Sequence, residues 1–127
     1  MSDKLSIRPV LDPVLLSGDL SDIERFQNTT LRPILKLQHD LILSTVKYYN
    51  RKKKNIFSEL DPLKQETYIA DHIIGDKNIS QELNGIVLGM MDIEEYTFYT
   101  LHASELKRRI KTMTLERILS AMDGLRK

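Results

Sequence analysis

The chain has no cysteine. That absence excludes a disulfide framework, a thiol nucleophile, cysteine-ligated zinc and iron–sulfur clusters. Glycine is thin, at five in 127 residues. No glycine-rich phosphate loop can be assembled from it, and the Gly85–Gly89 pair has no strand before it. No stretch approaches the roughly 20 apolar residues that a bilayer requires. No run alternates polar and apolar for long enough to predict a strand. Residues 1–21 lack a basic segment followed by an apolar one, so no secretory signal is expected and the cytoplasm is the expected compartment. His39, His72 and His102 lie far apart in the chain, with neither H-x-H nor H-E-x-x-H spacing. The Glu-x-x-His pairs of di-iron bundles and the Gly-x-Ser-x-Gly elbow of hydrolases are also missing. No cofactor and no resident metal are implied.

What remains is an ordinary globular composition, 41% hydrophobic and 29% charged, in one domain's length. Such a chain buries a core without a disulfide or metal staple. Its strongest signal is the segment Phe26 to Tyr49, where Leu31, Ile34, Leu35, Gln38, Leu41, Ile42, Thr45, Val46 and Tyr49 fall at helical spacing. Thr30 reads as its cap and Pro33 as a first-turn proline. A helix this apolar belongs inside a bundle. Ser21 or Asp19 caps a short helix leading to Phe26. Asp61-Pro62 opens a second long segment that ends at Gly75, with Leu63, Ala70, Ile73 and Ile74 expected inside. A third runs from Lys77 to Met91 on Ile79, Leu83, Ile86, Val87 and Met90. Gly85 and Gly89, one turn apart, are expected where another helix crosses closely. Asp92-Ile-Glu-Glu95 is a capping box for a fourth helix, whose Ile93, Tyr96, Phe98, Tyr99 and Leu101 read as a core corner. Ser104 starts a fifth, to Met122. The expected fold is therefore all-α: a single compact bundle of about five helices over residues 21–127. Residues 1–20 form a partly disordered N-terminal arm, whose Val10, Leu11, Val14, Leu15 and Leu16 offer an apolar docking run.

The net charge is only +1, which argues against a general nucleic-acid binder, but the charge is unevenly placed. One basic cluster holds Lys47, Arg51, Lys52, Lys53 and Lys54, with Tyr48, Tyr49 and Phe57 nearby. A second holds Lys107, Arg108, Arg109, Lys111 and Arg117. Arg32, with Gln27, Asn28 and Gln38, surrounds the start of the long helix, where an anion would find donors. The candidate anion or partner contacts are thus Arg32, Arg51, Lys52, Lys53, Lys54, Arg108 and Arg109. The fifth helix carries two apolar faces. Leu106, Ile110, Met113 and Ala121 share one, while Leu115, Ile118, Leu119 and Met122 point to the other and need a cover. A second subunit is the simplest cover, so a homodimer through Leu115, Ile118, Leu119 and Met122 is expected.

Four runs carry a resemblance. They are Phe26-Gln-Asn-x-Thr-Leu-Arg-Pro-Ile-Leu-Lys-Leu-Gln38, Asn84-Gly-Ile-Val-Leu-Gly89, Ile93-Glu-Glu-Tyr96 and Ser104-Glu-Leu-Lys-Arg-Arg109. Over about residues 25–122 the chain resembles a family of short bacterial proteins of uncharacterised function, whose members often carry the label glyoxalase. The resemblance implies an all-helical fold. It carries over no catalytic residue, because the glyoxalase ligand sets, His and Glu on a curved sheet or the H-x-H-x-D-H motif, are absent from this sequence. The residues therefore point to a non-catalytic protein-binding or regulatory helical module, without a membrane segment. Two alternatives stay open. One is a small metal-binding or lyase-type enzyme centred on His39, His72 and His102. The other is a nucleic-acid-binding accessory protein using Arg51 to Lys54.

Overall fold

A computed structural model describes Ile7, residues 20–52 and residues 59–122, without the side chains of 72–74. The arm assigned to residues 1–20, apart from Ile7 and Leu20, lies outside the described residues, as do Lys53 and Lys54. Among the described residues there is no strand, and the fold is all-α. No described helix is long and apolar enough to cross a membrane.

The chain enters through α1 (Asp22–Phe26). Its Ser21 cap accepts from the Glu24 N–H while Glu24 reaches back to the Ser21 N–H, a complete capping box. The helix does not start at Thr30. It runs on from Phe26 through a wide π turn at Gln27–Leu31 into α2 (Arg32–Leu37), and past a loosened position at Gln38 into α3 (His39–Lys52). Pro33 explains the π turn. Inside a regular helix its ring would strike a carbonyl one turn back and its missing N–H would orphan that carbonyl; the wider turn absorbs both. Thr30 is buried and is not a cap: its hydroxyl donates to Glu95 Oε2 at 3.0 Å. Leu31, Ile34, Leu35, Ile42 and Val46 are fully buried along this rod, as the apolar spacing requires, whereas Leu41 is half exposed.

Asp61 caps α4 (Pro62–Tyr68), which continues through a second π turn at Ile69–Ile74 to Gly75. The buried face differs from the expected one. Gln65, Tyr68 and Ile69 point inward and Leu63 is 75% exposed. Asp76 caps α5 (Lys77–Leu88), which buries Ile79, Leu83 and Val87. The glycine expectation fails here. Among the described residues a methyl group at Gly85 would meet nothing within 4 Å, so none of their helices crosses closely at that point. The Asp92–Glu95 capping box opens α6 (Ile93–Leu101). Phe98 stacks on Phe26 with centroids 4.6 Å apart and Tyr99 is buried, but Ile93, Tyr96 and Leu101 face outward. The expected core corner is therefore only half a corner. α7 (Ala103–Ser120) follows after His102, and its first residues carry no side-chain cap, so Ser104 does not serve as one. α7 packs against α3, α5, α6 and the second π turn, which makes it the central partner of the bundle.

That central position partly covers the second face of α7. Ile118 is fully buried and Met122 is 4% exposed within this single chain, and Leu115 and Leu119 pack half-buried on the same core. The chain's own helices thus cover Ile118 and Met122, while Leu115 and Leu119 remain partly exposed.

Candidate functional site

On α5 the core-facing residues Ile79 and Leu83 leave Ser80 and Asn84, one turn apart, on the flank. On α7, Leu106 and Ile110 point inward and leave Lys107 and Lys111 beside them, with Thr114 in the next turn. Where the two helices lie side by side, these flanks face each other across a groove of about 500 Å³. Leu83 and Ile110 contribute its apolar surface. Ser80, Gln81 and Asn84 line it from α5, and Lys107, Arg108 and Lys111 from α7. Its volume falls in the range of small-ligand sites.

Thr114 is the unusual member. It is 2% exposed, and its hydroxyl has no hydrogen-bond partner among the described residues. Some helical threonines of this chain return the hydroxyl to the carbonyl one turn back, as Thr45 does to Leu41 and Thr97 to Ile93, both at 2.8 Å. Thr114 makes no such bond. A buried donor left unmade is costly, so a polar group bound in the groove would gain by meeting it.

The other basic residues singled out in the sequence have different fates. Arg108 and Arg109 both grip Glu105, at 2.6 and 2.8 Å, and together hold its carboxyl down at about 2. Arg109 also donates to Gln27 Oε1 at 2.7 Å, tying α7 to the first π turn, so it is a structural tie rather than a free cation. Arg32 donates through Nε to Asn28 Oδ1 at 3.0 Å and is exposed. Arg51 and Lys52 are exposed at the end of α3, with the Lys52 ammonium 5.9 Å from the Tyr49 ring centre. The Tyr49 hydroxyl is held by Glu82, which raises its pKa.

The histidines take separate partners. His39 Nδ1 lies 3.2 Å from Arg117 Nη1, and the His102 ring packs on Phe98 at 4.6 Å. The His72 side chain lies outside the described residues. Among the described residues no three histidine, aspartate or glutamate side chains come together as a metal site. The basic cluster read from the sequence contains Lys107, Arg108 and Lys111, but the sequence does not reveal the groove they line. The available signal was a lysine pair at i, i+4 followed at i+7 by a threonine among apolar neighbours.

No family model, no curated protein and no solved structure matches this chain.

Proposed function

We propose that the protein is a non-catalytic binding module that takes an acidic segment of a partner protein in the groove between α5 and α7. The observation that carries this reading is the unpartnered, buried Thr114 hydroxyl in a groove whose α7 wall is cationic. Lys107 and Lys111 attract carboxylates, and their alkyl stems with Leu83 and Ile110 receive an apolar anchor. Ser80, Gln81, Asn84 and Thr114 supply donors and acceptors for a peptide backbone. Among the described residues the lining includes no histidine and no carboxylate. An identical chain also meets the requirement on the partner, through the exposed Glu59, Glu66, Asp71 and Glu94.

Selection of random peptides on the immobilised full chain tests the reading. Acidic peptides with an apolar residue among the carboxylates should be enriched, and the enrichment should vanish on a Lys107→Glu/Lys111→Glu variant. Both lysines are exposed, so charge reversal there leaves the core untouched. Selection that favours no acidic residue, or that survives the reversal, would refute it. Sedimentation of the wild type separates the homotypic case: a dimer that dissociates at high salt identifies a second copy as the partner.

A further inference from the structure

We infer that Arg32 and Arg117 form a binding site for a phosphoryl dianion, separate from the groove between α5 and α7. Both guanidiniums line a cavity of about 360 Å³ between α2 and α7, with Leu35 and Met113 beside them. At about 100° per residue, Met113 and Arg117 sit on a different side of α7 from Lys107, Lys111 and Thr114.

Each guanidinium has one polar neighbour. Asn28 Oδ1 takes the Arg32 Nε–H at 3.0 Å, and Arg117 Nη1 lies 3.2 Å from His39 Nδ1. That leaves the remaining donors of both forks free, the arrangement that binds phosphate oxygens in a bidentate manner. Among the described residues no carboxylate lies within ion-pair distance of either arginine. Glu116 borders the same cavity but makes no ion pair with them, and Asp40 borders the adjoining one beside Lys36 and His39. Two like charges held together with no carboxylate in ion-pair distance cost stability. Burial, and then the charge of Arg32, lower the pKa of Arg117. A bound dianion removes that cost, which a single carboxylate would do only in part.

The test follows the arginine Nε–Hε resonances of the ¹⁵N-labelled full chain. Inorganic phosphate and glycerol phosphate are titrated separately, with chloride as the control at matched ionic strength. Saturable shifts at Arg32 and Arg117 are expected with a phosphate probe and not with chloride. Arg32→Gln should weaken binding about tenfold or more and should not lower the melting temperature. Arg25→Gln, an exposed arginine on α1, should leave affinity unchanged. Tighter binding of glycerol phosphate assigns the site to a phosphorylated small molecule; equal binding assigns it to the free ion. Uniform shifts across all arginines, no saturation, or unchanged affinity in Arg32→Gln would overturn the proposal.

Discussion

Replacing Thr114 by valine should stabilise this protein while damaging its binding. The two side chains have nearly the same shape, and the site is 2% exposed, so the exchange creates no cavity. It removes one buried hydroxyl that has no partner. An unmade buried hydrogen bond costs on the order of 1–3 kcal/mol. The lower end applies here, because rotation about χ1 would bring the hydroxyl back toward the Ile110 carbonyl. A gain of about 1 kcal/mol is therefore expected, or a rise of roughly 3–5 °C in melting temperature for a domain of this size. Urea denaturation is the cleaner assay, since an unchanged m-value shows that only stability moved. The same variant should bind the selected acidic peptides more weakly, because valine cannot donate. A midpoint that falls, or fails to rise, would mean that the hydroxyl is satisfied in solution and that the groove holds no donor in wait.

Gly75, just before α5, and Gly85, inside it, should respond in opposite directions. Gly85→Ala, exposed and facing open space, should add about 1 kcal/mol from helix propensity alone. Gly75→Ala would press its methyl into the Asp71 carbonyl oxygen, so it should destabilise, by an amount the same denaturation series will read. Glu105, held at about 2 by Arg108 and Arg109, contributes stability that is present above the ordinary carboxylate pKa and lost as pH falls from about 4.5 toward 2. Glu105→Gln should flatten the acid limb of the stability curve in that window; an unaltered limb would show that the exposed pair contributes nothing. Arg109→Met removes the donor to Gln27 while keeping the alkyl packing. Faster hydrogen exchange in Gln27–Leu31 than in α3 would confirm that this arginine pins the π turn.

The helix starts were legible because capping is local chemistry. Asp61-Pro62 and Asp92-Ile-Glu-Glu95 bond within one turn, so the sequence carries the whole interaction. The long apolar rod was legible for the same reason of spacing. What failed depended on neighbours. Thr30 looks like a cap, yet its partner is Glu95, sixty-five positions away. Pro33 looks like a helix start, and only a π turn lets the helix begin earlier, at Asp22. Leu63 and Gln65 exchange the expected inside and outside, because the packing against α5 and α7 begins in the second π turn and sets the rotation of α4. On the second face of α7, Ile118 and Met122 are covered by the same chain. Spacing shows that a face is apolar and cannot show which surface meets it. The groove was hidden for that reason too: it exists only once α5 and α7 lie side by side, and residues 80–84 and 107–114 are far apart in the chain.

The most direct measurement is an amide chemical-shift map of the full chain titrated with a short peptide that alternates glutamate and leucine, against a lysine–leucine peptide as control. The account predicts saturable shifts for Ser80, Asn84, Lys107, Lys111 and Thr114 with the acidic peptide, weakening as salt is raised. Shifts centred instead on Arg51 and Lys52, or equal shifts with the basic peptide, would contradict it.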